Sequence, residues 1–150
     1  MDRQLTLDLL AEDLPAAERQ ARSLGLTLRR GEGDPRIDFY IPHTAQDSEE
    51  YLLRLRCDRY DELAPSFQFV NPANPEEEGP RWWPRMAQVS YARGDRGEVV
   101  FCTPGTREYH QHPSHRAESH PKSVWKLARA VVLAWQYLYR SGPYAGRGAV

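Results

Sequence analysis

The sequence predicts an α+β fold in one domain that spans residues 1–150, and three features indicate this class. A helical pattern lies near the N-terminus, segments that alternate between apolar and polar residues follow it, and a second helical pattern lies near the C-terminus. A chain of this length can bury a core without disulfide or metal support. We therefore expect an N-terminal helix, an antiparallel four-stranded meander, a long flap loop with a short strand that carries Cys102, and a C-terminal helix.

The first helix is predicted to begin at Asp13, which is a favourable N-cap residue. Pro15 follows in the first turn, where a proline is tolerated because that position needs no N–H donor. Gly25 can adopt the left-handed conformation that commonly ends a helix. Between them, apolar residues repeat at helical spacing: Leu14, Ala17, Ala21 and Leu24.

Four segments then alternate between apolar and polar residues, as expected of strands that bury one face. They lie at residues 26–28, 37–41, 51–58 and 67–69. Short turns between them favour hairpin connections. The next segment, residues 71–84, holds several prolines and an acidic run at 76–78, so we predict a loop with a solvated acidic run. Trp82 and Trp83 are expected to pack against the rest of the domain and so hold this loop in place.

A short apolar segment that ends at Phe101 is predicted to be the strand that delivers Cys102, after a turn at residues 94–97. Residues 103–120 are too polar and too proline-rich to predict a regular element. Four of the five histidines of the chain fall in this segment, between His110 and His120.

The strongest helical pattern is predicted to open at Pro121 and to stop at residues 142–143, a Gly-Pro pair. Its apolar positions repeat at helical intervals: Val124, Leu127, Val131, Trp135 and Leu138. Residues 143–150 are glycine-rich and are predicted to form a flexible tail.

Composition excludes several classes of function. The net charge of −1 gives no general basic field, and no zinc-finger or RNA-binding signature is present, so we expect no nucleic-acid partner. No apolar stretch has the length of a membrane span, and residues 1–4 lack the pattern of a signal peptide. Two cysteines in strand-like contexts favour free thiols in a reducing compartment. We predict a cytoplasmic protein without a membrane partner or a cofactor.

Cys102 is the candidate nucleophile, because it lies where a strand meets a loop. A thiolate is a strong nucleophile, and a nearby base or positive charge increases its population at neutral pH. His110 and His112 are candidates for the base or for the donor that stabilises an oxyanion. The simpler interpretation is that Cys102 is a small buried apolar residue. Cys57 lies in the middle of a strand pattern and is predicted to belong to the core.

The histidines also allow a metal site. His110, His112, His115, His120 and Cys102 together offer nitrogen and sulfur ligands of the kind that zinc prefers. The spacing contains no Cys-x-x-Cys pair and no helical His-x-x-x-His pair, which are the stronger zinc patterns. A solvated polar loop, support for catalysis at Cys102 and a zinc site remain as alternatives, in that order, and we predict no metal.

Three segments resemble a ubiquitin-conjugating enzyme: YLLRLRCDRY at residues 51–60, APSFQFVNP at residues 64–72 and GEVVFC at residues 97–102. In that family, an alternating strand leads to a tyrosine and a proline turn, then to another strand, a long flap and a short segment that ends in the catalytic cysteine. In element order, the resemblance covers residues 9–140.

The chain departs from the eukaryotic pattern. It has no His-Pro-Asn before Cys102, so the oxyanion asparagine of the family has no counterpart here. The segment after Cys102 is rich in histidine, and only one clear helix follows it. These departures are similar to the divergent bacterial conjugating enzymes that accompany a ubiquitin-like protein, an activating enzyme and a metal-dependent deconjugating protease.

The resemblance implies that Cys102 accepts the C-terminus of a ubiquitin-like protein as a thioester and passes it to an amine of a target. It also implies partners: the ubiquitin-like protein, an activating enzyme and the deconjugating protease of the same pathway. Two alternatives remain. One is a non-catalytic interaction domain of the same fold, and the other is a zinc-binding protein that uses the histidine-rich loop at residues 110–120.

Overall fold

The computed structural model describes residues 2–30, 34–42, 49–86, 91–93, 99–140 and 144–148. It is an α+β fold with an N-terminal helix, a five-stranded antiparallel sheet and a C-terminal helix, which confirms the predicted class. In chain order the elements are α1 (Arg3–Ser23), β1 (Thr27–Arg30), β2 (Arg36–Pro42), β3 (Glu50–Arg56), β4 (Ser66–Asn71), β5 (Asn74–Glu78), a 3-10 helix (Pro80–Trp82), β6 (Pro84–Met86), β7 (Tyr91–Arg93), β8 (Val99–Phe101), α2 (Arg107–Gln111), a second 3-10 helix (Lys122–Trp125), α3 (Leu127–Arg140) and β9 (Tyr144–Arg147).

Helix α1 begins ten residues before the predicted start, so the assignment of Asp13 as its N-cap is wrong. Asp2 is the N-cap, and its carboxylate accepts a hydrogen bond from the Leu5 N–H at 3.0 Å. Thr6 and Leu10 extend the buried stripe of Ala17 and Ala21 toward the N-terminus. Pro15 lies inside the helix on its exposed side. The buried stripe, rather than the proline, therefore determines where α1 begins.

The main sheet has the order β1-β2-β3-β4-β5, with every neighbouring pair antiparallel. The four predicted strands are present, and their apolar residues occupy one buried face: Ile37, Phe39, Ile41, Tyr51, Leu53, Leu55, Phe67 and Phe69. This face shares a single core with buried residues of α1 and α3. Trp83 joins it as predicted, fully buried and 5.1 Å from the Phe69 ring centroid.

The fifth strand corrects the prediction of a loop at residues 71–84. The Asn71 side chain accepts the Ala73 N–H at 2.9 Å, which forms a turn that sends β5 back along β4. Glu76 then accepts hydrogen bonds from Arg36 at 3.0 Å and Arg54 at 3.1 Å. Arginines on the polar face of the sheet thus neutralise the acidic run, which is paired rather than merely solvated.

The C-terminal helical segment is divided into two helices, whereas the pattern predicted one that opens at Pro121. Lys126 is extended, with ψ of 148°, and separates the second 3-10 helix from α3. The first N–H of α3, that of Leu127, donates to the Tyr60 hydroxyl at 3.1 Å, and this hydroxyl donates to the Asp13 carboxylate. Contacts with α1 and with the turn after β3 therefore set the start of α3. The predicted stop at residues 142–143 lies outside the described residues.

Two further segments that were predicted to be irregular form regular elements. Within the expected flexible tail, β9 pairs antiparallel with β6, and the Gly148 N–H donates to the Trp83 carbonyl at 2.9 Å. The Arg147 guanidinium lies 5.1 Å from the Tyr51 ring and 3.0 Å from the Glu49 carboxylate. Contacts with distant residues order this part of the tail.

The second is α2, which lies within the segment 103–120. Its N-cap is Thr106, whose hydroxyl accepts the Tyr109 N–H at 3.4 Å. Before it, β8 pairs with β7, and the predicted turn at residues 94–97 between them lies outside the described residues. Among the described helices, none combines the length and the apolar composition that a membrane span requires.

Candidate functional site

Cys102 is the first residue after β8, as the sequence pattern predicted. Its thiol is free, and the residue is half-buried. Burial raises the pKa of the Cys102 thiol, and the nearby Glu108 carboxylate raises it further. The site therefore offers a free thiol that is kept protonated at neutral pH, and neither His110 nor His112 contributes to that shift.

Glu108 is the second residue of α2 and was not identified from the sequence. Its Oε1 accepts a hydrogen bond from the Ser66 hydroxyl of β4. Its Oε2 is buried and has no hydrogen-bond partner among the described residues. Burial raises the pKa of the Glu108 carboxyl. The fold thus holds a carboxyl that binds protons unusually well and whose charge acts on the Cys102 thiol.

Glu108 was missed because α2 was missed. A threonine followed by an acidic residue two positions later is a signal for the first turn of a helix. In residues 103–120 this signal is surrounded by prolines and histidines, and the helix is only five residues long. No apolar periodicity can develop over so short a segment.

The loop between Cys102 and α2 is fixed by contacts on several sides. The fully buried Thr106 donates its hydroxyl to the Thr103 carbonyl at 2.9 Å. Gly105 has a φ of +106°, and a Cβ at this position would lie 2.6 Å from the Val124 carbonyl oxygen. Only glycine permits both this conformation and this close approach.

Arg107 fastens α2 to the segment between β3 and β4. Its N–H donates to the Pro65 carbonyl at 2.9 Å, and its guanidinium donates to the Ala64 carbonyl at 3.0 Å and to Asp58 at 3.0 Å. This is the segment in which the sequence resembles the ubiquitin-conjugating family. Arg107 thus connects it to the loop after Cys102.

His110 does fold back toward the loop after Cys102, but its partner is a backbone amide. Its Nε2 accepts the Gly105 N–H at 3.0 Å. The ring packs edge-on against Trp125, with the centroids 5.4 Å apart. Burial lowers the pKa of His110, and the neighbouring His120 lowers it further. The described loop contains no hydrogen bond between His110 and the thiol.

His112 ends α2 and lies apart from this arrangement. Its Nδ1 is 2.6 Å from the Ser114 hydroxyl, and its side chain is exposed. It forms no hydrogen bond with Cys102 in the described part of the chain. The structure therefore shows no contact of His112 that would support its predicted role in catalysis.

The rest of the histidine-rich loop is organised around Glu118. His115 and His120 contact its carboxylate at 2.7 Å and 3.0 Å, and the Tyr109 hydroxyl donates to it at 2.5 Å. These three partners lower the pKa of Glu118 to about 2. Tyr109 and His115 also stack, with ring centroids 3.9 Å apart. The histidines thus form a hydrogen-bonded polar cluster in a segment whose residues are mostly exposed.

His115 and His120 converge on Glu118, but this arrangement is not a metal site. No group of three or more histidine, cysteine, aspartate or glutamate side chains in the part of the chain that the structure describes is arranged to hold a metal ion. The zinc alternative, which needs the histidines together with Cys102, therefore gains no support.

Cys57 is a core residue, as predicted. It is fully buried, its Sγ lies 3.8 Å from the Leu55 carbonyl, and burial raises the pKa of its thiol far above the ordinary range. The two cysteines are both free.

Comparison of the chain with protein-family models finds no match, and comparison with curated proteins finds none either. The resemblance to ubiquitin-conjugating enzymes therefore depends on the residues and the element order described above.

Proposed function

We propose that this protein has the fold of a ubiquitin-conjugating enzyme and carries a ubiquitin-like protein as a thioester on Cys102, before transferring it to an amine. One observation carries the proposal. Cys102 is a half-buried free thiol at the end of a short strand, it precedes a rigid loop, and a buried carboxyl lies nearby.

The element order supports the proposal. An N-terminal helix leads to an antiparallel meander, then to an extended segment, then to the strand before the cysteine, and a long helix closes the core. This is the order on which the resemblance was based. The additional strands β5 and β9 lie outside that pattern.

Loading is an exchange between two thioesters. The Cys102 sulfur attacks the carbonyl carbon that joins the ubiquitin-like protein to the sulfur of its activating enzyme. A new C–S bond forms, the old one breaks, and the proton from Cys102 ends on the sulfur of the activating enzyme. A raised thiol pKa slows this attack but also protects the unloaded thiol from other electrophiles.

Discharge requires the incoming amine to lose a proton, and Glu108 is the group that we assign to this step. The ammonium transfers one proton to the Glu108 carboxylate, and the neutral nitrogen then attacks the thioester carbonyl. The C–N bond forms as the C–S bond breaks, and the second proton passes to the Cys102 sulfur. Because its pKa is raised, Glu108 accepts a proton better than an exposed carboxylate does.

Reconstitution tests this function. The protein is incubated with ATP, an activating enzyme of the ubiquitin-activating type and a ubiquitin-like protein. We expect a covalent adduct that a thiol reductant removes, and we expect Cys102→Ala to abolish it. Cys57→Ala is the matched control, because Cys57 is buried in the core and should not affect loading. An adduct that persists in Cys102→Ala would refute the proposal.

A second candidate is a non-catalytic interaction domain of the same fold. The raised pKa of Cys102 favours it, because a protonated thiol is a weak nucleophile. Slow alkylation at neutral pH is therefore expected under both functions. The rate of loading from a chemically prepared aryl thioester of a ubiquitin-like C-terminal peptide separates them, because the conjugating enzyme should take this peptide onto Cys102 faster than a free model thiol reacts, whereas an inert cysteine should not.

A further inference from the structure

One of the hydrogen bonds that hold the loop after Cys102 depends on pH. In this loop, the Thr106 N–H donates to the Thr103 carbonyl at 3.1 Å, and Pro104 has no N–H to donate. The Gly105 N–H instead donates to the imidazole of His110. A side chain that titrates near neutral pH thus holds the backbone three residues after the proposed nucleophile.

This hydrogen bond defines the protonation state of His110. The Gly105 N–H is the donor, so Nε2 must present a lone pair and the ring proton must be on Nδ1. A protonated imidazole carries hydrogen on both nitrogens. Its Nε2–H would then face the Gly105 N–H, and two donors would meet at 3.0 Å.

Gly105 cannot adjust easily to the loss of this partner. At Gly105 the Val124 carbonyl of the second 3-10 helix and the Leu133 side chain of α3 leave no room for a Cβ. Any movement of Gly105 must therefore be directed away from these residues. Such a movement would also shift Cys102 and the start of α2, to which Gly105 is linked through Thr106.

We propose that His110 is a positioning residue: its neutral imidazole holds the loop after Cys102 through the Gly105 N–H, and its protonation releases the loop and slows transfer at Cys102. The effect on transfer rests on the proposed function. The hydrogen bond and its loss in acid do not.

The groups around His110 determine the sign of the effect. His120 and His115 face it from the segment after α2 and oppose a second positive charge, whereas Glu118 favours one. Tyr109 from α2 and Trp125 from the 3-10 helix pack edge-on against the ring. The pKa of His110 is lowered from its ordinary 6.5, so the neutral form is favoured in the fold. The hydrogen bond between the Gly105 N–H and His110 is therefore formed at neutral pH. It is lost as the pH falls below 6.5 through the pKa of His110 in the folded protein.

Nuclear magnetic resonance of the ¹⁵N-labelled protein tests the hydrogen bond without any assay of transfer. At about pH 7.5 we expect a scalar coupling between the Gly105 amide nitrogen and His110 Nε2, with the ring proton on Nδ1. Once the pH is low enough to protonate His110, the coupling should vanish and the Gly105 amide resonance should move. His112→Gln is the matched control and should leave both observations unchanged. Absence of the coupling at the higher pH, or its persistence after His110 is protonated, would overturn the proposal.

Transfer from the aryl peptide thioester to Cys102 tests the positioning role. Ionisation of the thiol alone makes every variant slower by about tenfold per pH unit below its pKa. The wild-type protein should lose roughly a further tenfold between pH 7.5 and the pH at which His110 is protonated, because a displaced nucleophile reacts more slowly. His110→Gln, whose amide oxygen can accept the Gly105 N–H but cannot be protonated, should lack this additional loss. His110→Phe, which has no acceptor, should be slow at both pH values.

The positioning role of His110 would be refuted if His110→Gln showed the additional loss of transfer rate, or if the wild-type protein lacked it. If Cys102 takes up no peptide at any pH, the proposed function fails, while the coupling measurement still decides whether His110 releases the loop. The wild-type spectra need no variant, so a misfolded variant does not prevent a decision.

Discussion

Cys57 and Cys102 occupy similar places in the chain, but the fold gives them opposite environments. Each is the residue that directly follows a strand, and each precedes a loop. Cys57 is fully buried, with its N–H bonded to the Pro35 carbonyl at 2.8 Å. Cys102 is half-buried beside Glu108. The end of a strand therefore does not by itself make a cysteine accessible.

The segments that follow the two cysteines explain the difference. After Cys57 the chain turns under the start of α3, where Tyr60 bonds to Leu127 and to Asp13. After Cys102 the chain runs to Gly105, which packs against the Val124 carbonyl of the second 3-10 helix. The turn after Cys57 belongs to the core, whereas the loop after Cys102 packs against the second 3-10 helix.

The largest expected effect is a difference in labelling between the two thiols. Iodoacetamide should modify Cys102 in the native protein, whereas Cys57 reacts only when the core opens. With a stability of at least about 5 kcal/mol, Cys57 should react several thousand-fold more slowly if opening is global. Mass spectrometry of peptides after timed labelling measures both rates. Similar rates in native buffer would show that the two environments are not distinct.

Gly105→Ala should destabilise the protein more than the matched change Gly25→Ala. Both glycines have positive φ, +106° and +73°, but a Cβ at Gly25 meets no atom within 4 Å. We expect a loss of about 1 kcal/mol at Gly25 and about 3 kcal/mol at Gly105, where the Val124 carbonyl must also move. Urea denaturation gives both free energies of unfolding. Equal losses would show that the contact with Val124 does not constrain the loop after Cys102.

Tyr60→Phe tests the segment that covers Cys57. The change removes the acceptor of the Leu127 N–H and leaves this buried donor without a partner. We expect a loss of about 1–3 kcal/mol in the free energy of unfolding. Tyr139→Phe, at a hydroxyl that is more exposed and bonded to the Pro42 carbonyl, should cost less. If Cys57 labelling does not become faster in Tyr60→Phe, this segment does not control access to the core.

The smallest expected effect concerns the pH dependence of Cys102. Its alkylation rate should rise with a midpoint above the ordinary value of 9.0, because its pKa is raised by burial and by Glu108. Glu108→Gln removes the negative charge but keeps the burial, so the midpoint should move to lower pH and remain above 9.0. At neutral pH the variant should therefore react somewhat faster. Glu118→Gln serves as the control and should leave the midpoint unchanged, since Glu118 does not contribute to that shift.

Patterns that depend on neighbouring residues were predictable from the sequence. The alternation around Phe39, Leu53 and Phe69 determined the central strands and the face that they bury, because side chains along a strand alternate between faces. The same pattern placed Cys57 in the core. The end of the apolar run at Phe101 placed Cys102 at the start of a loop.

Elements whose stability comes from distant residues were not predictable. The acidic residues of β5 are stable in a strand because arginines on β2 and β3 meet them, and β9 is ordered through Arg147. The length of α1 depends on a buried stripe whose first member is a polar residue, Thr6.

The sequence by itself determined the α+β class, the central strands, the buried cysteine and the position of the candidate thiol along the chain. Only the tertiary structure decided what surrounds that thiol. It placed the Glu108 carboxyl where its charge raises the pKa of the Cys102 thiol, and it made His110 the acceptor of the Gly105 N–H. Both results depend on α2, a helix too short for any periodic signal, which is held by contacts of Arg107 with residues more than forty positions away in the chain.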